Sequence, residues 1–245
     1  MALDKGWIKT IKEGISDERW DEYDKIIMEE VVSYQERFGK ESHLVKVHLS
    51  KKVDWHLIKA MLWVESGGAS QAWKTRPMQI GNLGDPALPV LQRAEEGSKL
   101  IMSKELSEAI KSTDEVTNNP ELNIKAGIAY LYTKMAKYGI RSLLDLTNKE
   151  QHDYTVLSGD SLSAIAKKVE TTVLELEEQN ELQKRDVIKI GQKLKYRKAK
   201  NRLVIVGWRA FTTANVYKLY NGGGDGNYTE KLDFVLQKVF PVLRR

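Results

Sequence analysis

The sequence predicts an α+β protein, mainly α-helical, with a small βααβ unit inserted into the helical part. Three observations carry this expectation. Apolar residues recur at three- and four-residue steps through most of the chain, the period of helices with one buried face. Between Tyr154 and Tyr196 the signals run strand, turn, helix, helix, strand instead. Helical patterning then resumes, so the stretches flanking that block are read as two halves of one domain.

Composition sets the outer bounds. The chain has 245 residues, 41% hydrophobic and 30% charged, enough for one generous core or two modest ones and ordinary for a globular protein. It has no cysteine, which excludes a disulfide framework and a thiolate nucleophile. Residues 1–39 lack the apolar run of a secretory signal, since Asp17, Glu18, Asp21, Glu22 and Asp24 interrupt it, and no stretch approaches a membrane span. The expectation is a protein made in the cytoplasm without a signal peptide. The net charge of +5 is uneven: residues 151–245 hold 17 Lys/Arg against 11 Asp/Glu, with the excess between Lys184 and Arg209. Such a run is either a solvated face or an attraction for a polyanion, nucleic acid or an anionic cell wall. It contains no recognisable nucleic-acid motif.

Taken in order, the first element spans about Asp17 to Phe38, where Trp20, Tyr23, Ile27, Val31, Tyr34 and Phe38 form one apolar face. The second begins near Asp54, whose carboxylate can cap it, carries Leu57, Met61 and Val64 on one side, and stops at Gly67-Gly68. Pro77, Gly81, Gly84, Pro86 and Pro89 make residues 74–89 a loop. Helices are expected over about Ala94 to Ser112 and Leu122 to Tyr138, the latter closed by Gly139. Residues 141–153 and Arg197 to Arg202 read as polar connectors, with a short apolar run at 203–206. Two last helices are expected near Thr213 to Tyr220 and Tyr228 to Phe240, either side of the glycine loop 222–226.

Within the inserted block, Tyr154-Thr155-Val156 alternates like a strand edge and Gly159-Asp160-Ser161 supplies a turn and a cap. Leu162, Ile165 and Ala166 mark the first helix, and Val173, Leu174 and Leu176 the second. Asn180 ends the second helix, and a strand restarts over Ile190 to Leu194. These positions, with Ile188 and Gly191-Gln192, resemble the LysM module along its whole length. The resemblance implies binding of N-acetylglucosamine-containing glycans in a groove between Gly159-Asp160-Ser161-Leu162 and Asp186-Val187-Ile188-Lys189.

Glycosidic cleavage needs a proton donor, and an ordinary glutamate with a pKa of about 4.3 is ionised at neutral pH. Burial and the negative end of a helix dipole both raise that value. Glu65, in the last turn of an apolar helix behind Leu62-Trp63-Val64, meets both conditions.

Leu62 to Ser66 resembles the motif around the catalytic acid of soluble lytic transglycosylases, which share the lysozyme fold. Met78-Gln79-Ile80 resembles their second motif, Leu122 to Leu131 the third, and Leu219-Tyr220-Asn221-Gly222-Gly223 the fourth, with Asn227-Tyr228 and Lys231-Leu232 following as in the family's last helix. The domains implied are a discontinuous lysozyme-like catalytic domain over residues 1–150 and 198–245, with residues 1–45 as its N-terminal helical part, and a LysM domain over residues 151–197. The roles implied are Glu65 as acid then base, a hydroxyl of Tyr220 near it, and Ser66, Met78, Gln79 and Asn221 about the sugar site, with Asn123 bracing the fold. Arg76-Pro77 departs from the family's Gly-Leu, and Ser70 and Thr75 are the candidates for its cleft serine.

The resemblance implies that the peptidoglycan linkage after N-acetylmuramic acid is cut with closure of a 1,6-anhydro ring and no water consumed. Two alternatives stay open. One is hydrolysis in the manner of a goose-type lysozyme or phage endolysin, with Asp85 as the nearest second acid. The other is a wall-binding adaptor with a degenerate lysozyme-like part. No cofactor or metal is expected, since His43, His48, His56 and His152 form no ligand pair at helical spacing and the 222–226 loop lacks the strand and lysine of a phosphate loop. The expected partners are glycan strands, and a secretion-spike protein of a type VI machine or a phage tail that would deliver the enzyme to the periplasm or wall.

Overall fold

The computed structural model describes residues 2–145, 147–183 and 187–243. It is about 50% helical with small sheets, a mainly helical α+β fold. The chain divides into two compact units: Met1–Tyr138 with Ile205–Arg245, and Gly139–Val204. No helix among the described residues is long and apolar enough to cross a membrane.

The first unit opens with α1 (Lys5–Glu13), capped by the Asp4 carboxylate, and a 3-10 turn at Glu18–Asp21 that leads into α2 (Asp24–Phe38). All six apolar residues of the expected face, from Trp20 to Phe38, are buried. Helix α3 (Trp55–Glu65) starts where Asp54 accepts from the His56 N–H at 3.1 Å. Its Lys59 is 5% exposed and lies between the carboxylates of Asp21 and Asp24, the latter at 2.7 Å, under the rings of Trp55, Trp63 and Phe240. A buried ammonium survives only when paired in this way, so the cluster fixes α3 to the preceding turn and α2. The helix stops at Gly67, where φ is +69° and an added Cβ would come within 2.9 Å of the Trp20 ring, so glycine is required by both backbone and space.

The segment from residue 87 to 118 is broken into α4 (Ala87–Gln92), α5 (Ser98–Ile101), α6 (Lys104–Ala109) and α7 (Thr113–Asn118). This corrects the single helix expected over Ala94 to Ser112. Positive φ at Ala94, Glu96 and Gly97 and the caps formed by Ser103 and Ser112 stop each piece after one or two turns. Helix α8 (Pro120–Met135) follows, capped by Asn119 with proline at its start, and is buried over most of its length. It ends at Met135, not near Gly139: Ala136 turns to extended backbone, and the Arg209 guanidinium holds the Lys134 and Ala136 carbonyls at 3.1 and 2.6 Å.

From there β1 (Ala136–Leu144) pairs with β4 (Ala199–Trp208), so both stretches expected to be connectors contain ladder strands. Their charges misled the sequence reading; Asp145, 1% exposed, in fact takes Lys200 and Arg202 as ion partners. In the first unit the chain closes with α11 (Thr213–Leu219) and α12 (Tyr228–Phe234), which continues through a π turn at Val235–Val239 into Phe240–Leu243.

The second unit contains β2 (His152–Thr155), α9 (Leu162–Lys168), α10 (Val173–Gln179) and β3 (Lys193–Tyr196), with β2 and β3 antiparallel, His152 opposite Tyr196 and Thr155 opposite Lys193. Val156, Ile165, Ala166, Leu176 and Leu194 form its core. Leu174, expected on the apolar stripe, is 61% exposed, and the returning strand begins at Lys193 because Gly191 turns the chain with φ +83°.

Candidate active site

A cleft of about 320 Å³ opens in the first unit. Glu65, at the end of α3, lines it together with Met78, Gln79, Asp85, Tyr130, Tyr220 and Asn221. Residues 142 or more positions apart in the chain therefore meet at one site: the Tyr220 hydroxyl donates to the Met78 carbonyl at 3.1 Å, and the Tyr228 hydroxyl donates to Glu65 Oε1 at 2.6 Å.

The position of each group follows from its element. The last turn of α3 points Glu65 into the cleft, and Ser66 Oγ donates to the Pro77 carbonyl at 3.0 Å, tying the helix end to the loop that carries Met78 and Gln79. Asn123 on α8 is fully buried; it accepts from the Met78 N–H at 3.0 Å and donates to the Ile80 and Val116 carbonyls at 2.9 and 3.0 Å. Gly127, one helical turn on, lets the backbone approach, since a Cβ there would lie 2.7 Å from that of Met78. The loop is strained at Gln79, where φ is +58° in a non-glycine residue. Gln79 Nε2 donates to the Arg76 carbonyl at 3.2 Å while its Oε1 accepts from Asn82 at 2.6 Å.

Electrostatics single out Glu65. Burial pushes its carboxyl up to about 7; the Tyr228 hydrogen bond pulls the other way, and the negative charges of Asp85 and Asp225 add to the rise against Lys231. Asp225 itself is held below the usual carboxylate range: burial works to raise it, but Lys231, at 2.7 Å, and the Asn227 N–H outweigh that. Burial also raises both Tyr220 and Tyr228 well above the ordinary phenol value, so each remains a hydroxyl donor. The arrangement offers one proton-bearing carboxyl at neutral pH beside neutral donors, the equipment for protonating a leaving oxygen. The second acid on the cleft, Asp85, is engaged: its oxygens accept from the Gly81 and Ala87 N–H groups at 2.9 and 3.0 Å.

Of the residues expected around the cleft, Glu65, Met78, Gln79, Tyr220 and Asn221 line it and Ser66 braces its edge. Asn221 Oδ1 accepts from the Asp225 N–H at 3.1 Å, shaping the glycine loop. Sequence reasoning passed over Tyr228, Tyr130, Asn82 and Leu83. Tyr228 was visible only as part of the resemblance to the family's last helix, with no role assigned to it, and nothing local marks it as the partner of a glutamate 163 residues earlier. Ser70 caps the turn at Trp73 with a 3.2 Å bond, and neither it nor Thr75 lines the cleft.

In the second unit, Asp160 Oδ2 accepts from the Leu157 N–H and the Tyr154 hydroxyl, both at 2.8 Å, so it clamps the turn. Ser161 caps α9 through the Ala164 N–H at 3.2 Å, and Gly159, with φ +83°, has open space around it. Leu162 and Ile188 pack against the small core. The exposed apolar side chains near them are Leu157, Val187 and Ile190, at 53%, 85% and 72% exposure. Asp186, expected on the far side of the groove, lies outside the described residues.

Comparison with known families agrees with this division of labour. Residues 45–147 match the Transglycosylase SLT domain and residues 154–196 match the LysM domain. No curated protein and no solved structure matches the chain. The pair of domains supports peptidoglycan transglycosylase activity combined with wall binding. The chain therefore carries a Transglycosylase SLT domain followed by a LysM domain.

Proposed function

We propose that the protein is a peptidoglycan lytic transglycosylase that cuts the β-1,4 linkage between N-acetylmuramic acid and N-acetylglucosamine and leaves 1,6-anhydro ends. Residues 1–150 and 198–245 act as one catalytic domain, and residues 151–197 hold the wall. The single observation that carries this reading is the Glu65 carboxyl, buried at the end of α3, raised to about 7 and met by the Tyr228 hydroxyl.

In the first step Glu65 gives its proton to the linkage oxygen as the bond to the muramic acid anomeric carbon breaks, and the departing N-acetylglucosamine leaves with that proton. In the second, the carboxylate takes the proton of the muramic acid 6-hydroxyl while that oxygen bonds to the anomeric carbon. The ring closes, Glu65 regains its proton, and no water enters. Tyr220 and Tyr228 hold the carboxyl and cleft wall in place, and Gln79 and Asn221 offer amides to the sugar. A mechanism with one carboxyl suits a cleft whose other acid already accepts two backbone N–H groups.

The hydrolytic reading keeps one observation in its favour, the presence of Asp85 on the same cleft. Digesting purified sacculi and weighing the muropeptides separates the two. Anhydro products, one water lighter than reducing ends, are expected; a product pool made only of reducing ends would establish hydrolysis instead.

A further inference from the structure

Gln79, Asn82 and Leu83 line the same cleft as Glu65 and share one short loop. The Arg76 carbonyl accepts from both the Gln79 backbone N–H, at 2.9 Å, and Gln79 Nε2, at 3.2 Å. A carbonyl can only accept, so the nitrogen of the Gln79 amide is fixed on that side and Oε1 on the other. Oε1 takes a donor, Asn82 Nδ2, at 2.6 Å. Asn82 is thereby oriented as well, and its Oδ1 accepts no hydrogen bond among the described residues. The free capacity of this chain of two amides is a hydrogen on Gln79 Nε2 at one end and the Asn82 oxygen at the other.

Leu83 follows, and at 107% exposure it packs on nothing. The loop that carries it is nevertheless braced. Asp85 accepts from the Gly81 and Ala87 N–H groups, its own N–H donates to the Asn82 carbonyl at 2.9 Å, and Gly81 and Gly84 turn the chain with φ of +86° and +83°. A leucine held in this way on the lip of a cleft gains apolar contact only from what enters the cleft. The chemistry of the three groups says what that is. An acetamido substituent has a carbonyl acceptor, an N–H donor pointing the opposite way across its planar trans amide, and a methyl group. A sugar hydroxyl brings no methyl, and the ammonium left by N-deacetylation brings neither methyl nor acceptor.

We propose that Asn82 and Leu83, together with Gln79, read the 2-acetamido group of a glycan strand in the cleft. Gln79 Nε2 donates to the acetamido carbonyl, the acetamido N–H donates to Asn82 Oδ1, and the methyl group packs on Leu83. Asn82 and Leu83 are thus specificity-determining residues, and an N-deacetylated wall is a poor substrate. This inference rests on the glycan-cleaving reading of the cleft.

Muropeptide release by the full chain from acetylated and from N-deacetylated peptidoglycan strands tests it. The wild type should lose about tenfold or more in kcat/KM on the deacetylated strands. Strands deacetylated on glucosamine alone and on muramic acid alone tell which sugar's acetamido is read, and at least one of them must be cut more slowly. Asn82→Ala and Leu83→Ser should each lose about five- to tenfold on acetylated strands, through KM, and clearly less on deacetylated ones, so the preference for acetylated strands shrinks. Any liking of the second unit for N-acetyl groups is common to all the variants, so a change in preference between them belongs to the cleft. Equal cleavage of acetylated and deacetylated strands by the wild type overturns the proposal. So does an equal loss on both strands in each variant, which would mean that the loop only supports the fold. A wild type that cuts neither strand would sink the catalytic reading itself, and this one with it. Thermal melts identify an Asn82 variant that fails to fold, and Leu83→Ser, with no packing to lose, keeps the test decisive.

Discussion

On the proposed mechanism, Glu65 concentrates the chemistry and the instability of this cleft in one side chain. Its carboxyl is raised from 4.5 to about 7, so between those pH values the folded protein keeps a proton that the unfolded chain has lost. The contribution to stability is therefore present at pH 4 and is lost as the pH rises through 7. Glu65→Gln, which cannot ionise, should be more stable than the wild type by about 3 kcal/mol at pH 8 and no more stable at pH 4, in chemical denaturation at the two values. The same substitution should cost about 10²–10⁴-fold in cleavage, read by muropeptide release. Activity of the wild type, which needs the protonated acid first, should fall about tenfold per unit above pH 7. Tyr228→Phe removes the hydrogen bond that opposes this rise, so the alkaline limb should move to higher pH; an unmoved limb would mean the hydroxyl only packs. At this scale the sequence pointed to Glu65 through the resemblance of Leu62 to Ser66 to the acid motif of soluble lytic transglycosylases, since a lone acid at the end of an apolar helix is weak evidence by itself. Tyr228 stayed hidden because a tyrosine at a helix start looks the same whether or not a carboxyl faces it.

Among the elements, α8 does most to hold the cleft wall. Asn123 has three bonds to three separate backbone groups, and none of those groups reaches solvent through it. Asn123→Ala should therefore destabilise the first unit by about 2–4 kcal/mol, since it leaves buried donors and acceptors unpaired, a loss measurable as a lowered denaturant midpoint. Cleavage by the folded fraction should also drop, because Met78 and Gln79 lose their anchor. The long amphipathic α2 was legible from its period, and the almost wholly buried α8 from its largely apolar run between Leu122 and Tyr138. The short ones were not: α4 to α7 are set by positive φ at Ala94, Glu96 and Gly97 and by serine caps, and periodicity averages over such breaks. The β1 and β4 strands escaped notice for a different reason. Their pairing lies between segments 55 or more residues apart, and their exposed charges imitate a loop.

For the molecule as a whole, the chain leaves the helical unit along β1 and returns along β4, and the Asp145 N–H donates to the Lys198 carbonyl at 3.1 Å. The two cut points are thus neighbours, so replacing residues 151–197 by a short glycine-rich turn should leave the first unit folded, with its melting transition retained. Such a variant should cleave soluble glycan chains at near the parent rate and co-sediment with sacculi more weakly. Failure of the shortened chain to fold would mean that the second unit supports the first. The order of domains was readable because each module has its own period and punctuation, whereas the meeting of distant tyrosines with Glu65 is a product of tertiary packing. That meeting has a consequence for biosynthesis. Ribosomes deliver Glu65 early and Tyr220 and Tyr228 only after the glycan-gripping module has emerged, at roughly 5–20 residues per second. On the proposed function, a nascent or prematurely terminated chain would recognise its polymer before it could cut it, and competence would arrive only with the final helices.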